Sequence, residues 1–308
     1  MNSNPKIIFM GTPDFAVASL RALVESGFHI AAVVTAQDKP AGRGLNLTES
    51  AVKQFAVNKN IPVLQPEKLK NPEFLEQLKS YRADIQVVVA FRMLPEVVWA
   101  MPDLGTINLH GSLLPQYRGA APINRAIMNG ETMTGVTTFK LQQEIDTGNI
   151  LLFEEISIGP NETAGELHDR MKEIGAALVV RTIRGFLDGT LQEKPQNIPD
   201  RSTLKTAPKI FTADCEISWL KTVSKIHNQI RGLSPFPGAF TSFRDKTLKI
   251  FRARPEEKDH RLKTGEMETD GRNWLRFSAL DGYIYVEEMQ LEGKKRMKTA
   301  DFLRGYRA

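Results

Sequence analysis

With a single cysteine, Cys215, in 308 residues, the chain has no internal disulfide framework and fits a reducing compartment. Nothing beside that cysteine suggests an activated thiol. Long apolar runs are missing too. Val87-Val88-Val89-Ala90-Phe91 is typical of the longest, and a membrane span needs about 20 residues. The opening MNSNPKIIFM has no extended apolar stretch, so a signal peptide is not expected and a cytoplasmic location is. His29, His168, His227 and His260 are scattered without ligand spacing, so no metal is expected. The dinucleotide fingerprint fails as well. GTPDFA (11–16) stands where G-x-G-x-x-G would begin, but Pro13 and Ala16 occupy the second and third glycine positions. Pro13 also removes a backbone donor from any pyrophosphate cradle. This argues against a nicotinamide oxidoreductase, and Gly11 reads as a strand-to-helix turn. There are no internal repeats.

What is present is an ordinary soluble mixture, 41% apolar and 25% charged. The length suits two domains. The net charge of +5 is unevenly spread: residues 209–308 hold 20 Lys+Arg against 14 Asp+Glu, and the first 208 hold 21 against 22. A basic C-terminal module beside a near-neutral one suits a polyanionic partner.

Apolar runs at 6–10, 30–35, 85–90 and 105–110 read as strands, with the third apolar on both faces as a covered parallel strand should be. Helices are predicted over 14–25 with Asp14 as cap, over about 48–59, and over 71–80 with Pro72 at the first helical position. Alternation of this kind indicates an α/β, doubly wound, mostly parallel sheet of Rossmann-like form. Strands at 137–141 and 151–158 flank a loop holding Asp146-Thr147-Gly148. Thr163 to Glu166 has capping-box spacing before a helix that Asp188-Gly189 stops. Residues 190–208 read as a linker between a catalytic domain over 1–189 and a smaller domain over 209–308. In that smaller domain a helix is predicted over 218–231. Strands follow at 240–243, 248–252 and 283–291, with a hairpin at Asp245-Lys246, as in an OB-like β-barrel.

The chemistry concentrates in GTINLHGSLLP (105–115). Ligands of open α/β sheets bind beyond the carboxyl ends of the strands. Asn108 and His110 stand at such an end, and their i, i+2 spacing puts both on one face with Leu109 on the other. An amide and an imidazole can both donate to an oxygen that turns negative as a carbonyl is attacked. A carboxylate such as Asp146, if the fold brings it near, can orient the imidazole and help take a proton from an attacking amine. No serine or cysteine nucleophile is evidently placed, so direct transfer to an external acceptor is the economical reading.

Together, NLHGSLLPQYRGAAPINRA (108–126) and DTGNIL (146–151) resemble the folate-dependent formyltransferases. FMGTPDFA (9–16), QDKPAGRG (37–44) and IRGLSPFPGAFT (230–241) extend the likeness over nearly the whole chain. They place it nearest the members that act on methionyl-tRNA. The resemblance implies a monomer that moves the formyl group of 10-formyltetrahydrofolate onto the α-amine of initiator methionyl-tRNA, for translation initiation. The nearest alternative it leaves is a formyltransferase acting on a nucleotide amino sugar. By the same resemblance Asn108, His110 and Asp146 are catalytic. Phe91, Arg92, Met93 and Leu94, with Ser112, Leu113, Leu114 and Pro115, line the folate site. Lys39, Gly42 and Arg43 meet the tRNA. Arg118 suits either a substrate phosphate or a helix entry. Arg92 departs from the family, whose members commonly carry glycine there, and residues 141–145 replace a more acidic, glycine-containing loop.

Overall fold

The computed structural model describes residues 4–41, 46–198 and 200–305. They form two compact units. The first takes the chain up to Arg118, Gly135–Ile156 and His168–Lys205; the second takes Gly119–Thr134, Ser157–Leu167 and the chain from Thr206 on.

In chain order the strands up to residue 157 are β1 (Lys6–Gly11), β2 (His29–Val34), β3 (Lys39–Ala41), β4 (Asn46–Thr48), β5 (Val63–Leu64), β6 (Ile85–Val89), β7 (Thr106–His110), β8 (Arg118–Gly119), β9 (Met133–Lys140) and β10 (Ile150–Ser157). The helices to residue 187 are α1 (Asp14–Glu25), α2 (Ala51–Asn58), α3 (Pro72–Ser80), α4 (Glu96–Trp99), α5 (Pro122–Met128) and α6 (Ala164–Leu187). Seven strands make one sheet in the order β10-β9-β7-β6-β1-β2-β5. The pairs β1/β2, β1/β6, β2/β5 and β6/β7 are parallel, and β7/β9 is antiparallel. The order reverses between β1 and β6, where such a sheet opens a crevice beyond its strand ends.

The sheet is covered on both faces because both faces are apolar. On one, Phe74 and Leu78 of α3 and Val98 of α4 pack against Met10, Val34 and Val88. On the other, Leu109 meets α6 at Gly175, where an added Cβ would stand 2.7 Å from the leucine Cδ2. Leu109 is buried, a contribution of about 1.5–3 kcal/mol. All five residues of β6 are buried, the polar Gln86 among them, and its Oε1 accepts the Thr106 hydroxyl at 3.1 Å.

Helix starts follow their caps. Asn71 Oδ1 accepts from the Glu73 N–H at 3.0 Å and Pro72 opens α3, as expected. α2 begins at Ala51, later than expected, because Ser50 Oγ takes the Lys53 N–H at 3.0 Å. Asp14 is not the cap of α1. Pro13 precedes the helix with extended backbone, and Asp14 is the first helical residue, its carboxylate 2.8 Å from Lys172 Nζ. A negative charge in the first turn still suits the helix dipole.

In the second unit the capping box forms: the Thr163 N–H donates to Glu166 Oε2 at 2.9 Å and the Glu166 N–H to Thr163 Oγ1 at 3.3 Å. The remaining elements are β11 (Thr206–Ala207), α7 (Thr212–Cys215), α8 (Val223–Gly232), β12 (Ala239–Phe243), β13 (Lys246–Glu257), β14 (Met267–Thr269), β15 (Leu275–Ser278), β16 (Gly282–Leu291), β17 (Met297–Lys298) and α9 (Thr299–Gly305). β12-β13-β16-β15-β14 form an antiparallel sheet, with β17 also on β16. The barrel anticipated here takes the form of a half-barrel whose edges are β12 and β14. Its core joins Ile226 and Ile230 of α8 to Leu248, Ile250, Val286 and Met289. α8 starts at Val223, not 218, because Thr222 Oγ1 caps it. The β12–β13 turn is Arg244-Asp245, one residue before the expected break, with φ of 49° and 59° as a two-residue type I′ turn requires.

Candidate active site

β7 lies between parallel β6 and antiparallel β9, with Asn108 opposite both Val88 and Phe139 and His110 opposite Thr137. Asn108 and His110 therefore share the face turned away from Leu109. Asn108 is half-buried, and among the described residues its side chain makes no hydrogen bond, so its amide is available to a ligand.

His110 is 7% exposed and Asp146 8%, so both are nearly withdrawn from water. His110 Nε2 lies 2.8 Å from the Tyr117 carbonyl oxygen. That oxygen can only accept, so Nε2 carries hydrogen and donates. Nδ1 faces Asp146 Oδ2 at 3.8 Å, within ion-pair reach but too long for a hydrogen bond. Both of these partners come from residues in the left-handed backbone region, Tyr117 with φ 58° and Asp146 with φ 55°. Non-glycine residues adopt that region only when their surroundings hold them there.

The turn after His110 is fastened to β9 by Thr137, whose hydroxyl donates to Ser112 O at 2.6 Å and accepts the Leu114 N–H at 3.2 Å. Ser112 is fully buried and its hydroxyl donates to Gln116 O at 2.6 Å. Leu113 packs against the β9 backbone at Gly135, leaving no room there for a Cβ. Pro115 is half-buried and Leu114 buried. The Asp146 turn is closed by Gln142 Nε2 donating to Thr147 Oγ1 at 2.8 Å and by Thr147 Oγ1 donating to Glu144 O at 3.0 Å. Gly148 is required: an added Cβ would lie 1.7 Å from Lys140 O.

Phe91 to Leu94 follow β6, and Ser112 to Pro115 follow β7, so both segments predicted to line the folate site come after the carboxyl ends of neighbouring parallel strands. Phe91 is half-buried and Met93 is 72% exposed, while Leu94 belongs to the core beside Val98. Arg92 has a structural use. Its guanidinium donates to Glu67 O at 2.7 Å and Pro66 O at 2.5 Å, which gives the departure from glycine a physical reason. Arg118 has a partner the sequence did not indicate. Its Nε and Nη2 donate to Gln196 Oε1 at 3.2 and 2.5 Å.

Lys39 is exposed on β3, which pairs with β4. Just before it, Asp38 receives Lys53 Nζ at 2.5 Å and Gln65 Nε2 at 2.8 Å. The Lys53 hydrogen bond, then that of Gln65, holds the Asp38 carboxyl below its ordinary range. Gly42 and Arg43 lie outside the described residues. Among the described residues no group of three or more His, Cys, Asp or Glu side chains could hold a metal ion. Likewise, no described helix is long and apolar enough to cross a membrane. Cys215 is buried, and burial followed by the nearby Asp214 charge pushes its thiol pKa up, away from reactivity.

Sequence reasoning singled out Asn108, His110 and Asp146, of which the fold brings His110 and Asp146 to 3.8 Å, and did not single out Tyr117, Thr137 or Gln196. Tyr117 contributes a carbonyl, which every residue has, and no motif marks it.

Comparison with known proteins places the chain in a family. Residues 5–183 match the formyl transferase family model, and residues 209–307 match that of the formyl transferase C-terminal domain. A methionyl-tRNA formyltransferase of Bacteroides fragilis is 48% identical over 307 residues, covering 98% of this chain and 95% of the relative. One of Parabacteroides distasonis is 50% identical over 310 residues, covering 98% and 96%. Among solved structures, WlaRD, a sugar 3N-formyl transferase, aligns with a TM-score of 0.67 at 23% identity, covering 94% of this chain and 99% of that one. HypX from Aquifex aeolicus, in complex with tetrahydrofolic acid, aligns with a TM-score of 0.67 at 18% identity over 98% of this chain. This chain spans 47% of HypX, and both structural likenesses concern the fold alone. Matched over residues 5–183 and again over 209–307, the chain belongs to the formyl transferase family.

Proposed function

We propose that the chain transfers the formyl group of 10-formyltetrahydrofolate to the α-amine of initiator methionyl-tRNA, acting as a cytoplasmic monomer in translation initiation. The observation that carries the acceptor assignment is identity near one half to methionyl-tRNA formyltransferases over 98% of the chain. The catalytic assignment is supported by Asn108 and His110 on one face of a strand end, with Asp146 3.8 Å from His110 Nδ1.

The co-substrate supplies a formyl carbonyl on a nitrogen that can leave. The half-buried Asn108 amide fits such a carbonyl, since it has hydrogens to give and no hydrogen bond to the described residues. Asn108 donates to the formyl oxygen as negative charge develops there. His110 keeps Nε2–H on the Tyr117 carbonyl, so the ring acts on the reaction through Nδ1. That nitrogen, once protonated, donates to the same oxygen. Asp146 stabilises this protonated ring and assists removal of a proton from the attacking amine. The proton ends on the folate nitrogen that leaves, so no covalent enzyme intermediate is needed. Phe91, Arg92, Met93 and Leu94 with Ser112 to Pro115 form the folate-side wall, Arg92 by holding loop carbonyls. Lys39, Gly42 and Arg43 reach the tRNA acceptor end. Catalytic chemistry is assigned to 1–189, a connecting segment to 190–208 and further tRNA contact to the basic 209–308.

The test is a transfer assay with 10-formyltetrahydrofolate and three acceptors: initiator methionyl-tRNA, elongator methionyl-tRNA and a dTDP-amino sugar. Rapid formylation of the initiator species alone is expected. Formylation of the sugar with methionyl-tRNA left untouched would overturn the acceptor assignment.

A further inference from the structure

Gln196 lies in the segment read from sequence as a linker, yet it occupies the closing position of a ring of contacts around His110. Its Nε2 donates to two carbonyls of the Asp146 turn, Asp146 O at 2.9 Å and Gly148 O at 2.8 Å. Its Oε1 accepts from Arg118 Nε and Nη2. This network fixes which way the amide points. Arginine cannot accept and the two carbonyls cannot donate, so a flipped amide would oppose like groups at all four contacts.

Arg118 is the residue after Tyr117, whose carbonyl receives His110 Nε2–H. The path therefore runs from His110 to Tyr117 O, across one peptide bond to Arg118, through Gln196, to the backbone of Asp146. It closes at the 3.8 Å approach of Asp146 Oδ2 to His110 Nδ1. Both residues that flank the imidazole hold positive φ, a conformation that costs of order 1–3 kcal/mol unless surrounding contacts impose it. The same strap fastens each of them. Tyr117 N–H donates to Lys205 O at 2.6 Å. Glu193 receives Asn149 Nδ2 and Lys140 Nζ, each at 3.0 Å, and Lys194 bridges Ile150. At the centre of this strap Gln196 touches both the Asp146 turn and Arg118, the neighbour of Tyr117.

We propose that Gln196 is a positioning residue for formyl transfer: its amide clamps the Asp146 turn and, through Arg118, sets the separation of Asp146 from His110. This inference rests on the catalytic roles proposed above for His110 and Asp146. Gln196→Glu is the discriminating variant, because it keeps the volume and the Arg118 contact and loses only the two donations to Asp146 O and Gly148 O. Gln196→Ala removes both sides.

The experiment measures three things on the full-length protein: kcat and KM for folate and tRNA, the thermal midpoint, and the His110 ring nitrogens by 15N NMR across a pH titration. Expected for both variants are a roughly 10- to 50-fold loss in kcat with each KM within about threefold, since a small misplacement of reacting groups can cost up to about 10²-fold. The His110 titration should shift as well, with little change in thermal midpoint. Should Gln196→Ala fail to fold, Gln196→Glu carries the test. An unchanged His110 titration, or a shifted one with kcat intact, overturns the proposal. If wild-type protein does not formylate methionyl-tRNA, the functional reading fails instead, and the His110 spectra still decide whether Gln196 positions the pair.

Discussion

The two units solve different problems with different sheets. The first is mostly parallel, buried on both faces, and leaves only its strand ends for chemistry. There an imidazole and a carboxylate sit nearly out of water beside a half-buried amide, and the sequence around them is close to neutral. The second is antiparallel, with one face on α8 and the other free to carry charge. On that free face Arg254, Tyr285 and Arg276 lie in register across three strands. Arg254 sits 4.3 Å from the Tyr285 ring centre and Arg276 3.6 Å from that of Tyr283. The contrast teaches that one unit withdraws its polar groups from water at a strand end, while the other holds its cations against aromatic rings on a sheet face, Arg254 exposed and Arg276 paired with Glu268. On the proposed function the first suits chemistry and the second suits recruitment of a polyanion.

The sharpest way to break that division is to remove the carboxylate. Asp146→Ala should lower kcat on the order of 10³-fold with tRNA affinity unchanged, read by steady-state kinetics and filter binding. A loss confined to tRNA binding would erase the contrast.

The second unit has its own buried imidazole, and it should report stability rather than catalysis. Burial first, and then the Arg231 charge, depress the His227 pKa from 6.5 to about 4, against a hydrogen bond that the imidazole donates to the Ala253 backbone. A base whose folded pKa is depressed binds fewer protons folded than unfolded. Stability is thus full above about 6.5 and falls as pH drops towards 4, by up to about 3 kcal/mol. Thermal midpoints of wild type between pH 4 and 7 should show that slope, and His227→Gln should flatten it. An equal slope in both would assign the acid sensitivity elsewhere.

Smaller effects concern the tRNA. Arg43→Ala should lower kcat/KM for methionyl-tRNA about 10-fold and leave folate KM unchanged; an equal change in folate KM would move Arg43 out of the tRNA contact. Arg254→Ala should weaken tRNA binding only a few-fold and reduce the slope of log affinity against log salt by about one. An unchanged slope would remove the free face of the half-barrel from the interface.

Much of this was legible in the sequence, and the reason differs by residue. Asn108 and His110 could be read because a strand alternates its side chains, so two polar residues at i, i+2 before a glycine declare a strand end. The α3 cap, the 163–166 capping box and the antiparallel C-terminal domain were readable from local chemistry. The proximity of Asp146 was not, since it depends on β9 pairing beside β7, a contact 36 positions away. Tyr117 and Gln196 were hidden for another reason. What they supply is a carbonyl and an amide aimed at carbonyls, and positive φ at Tyr117 and Asp146 goes against residue preference. Arg118 read as suiting a substrate phosphate or a helix entry, and Arg92 as a departure from glycine, but the carbonyls and amide that their guanidinium groups hold are set by the fold. β14, β15 and β17, at 3, 4 and 2 residues, are too short to show a period.

The division between chemistry and recruitment is tested most directly by single-turnover formylation of initiator methionyl-tRNA with Asn108→Ala, at enzyme concentrations that saturate the tRNA. On the role proposed for the half-buried Asn108 amide, donation to the reacting oxygen, the chemical step should slow about 10²-fold or more with the tRNA dissociation constant unchanged. A chemical step that survives while tRNA affinity collapses would contradict it.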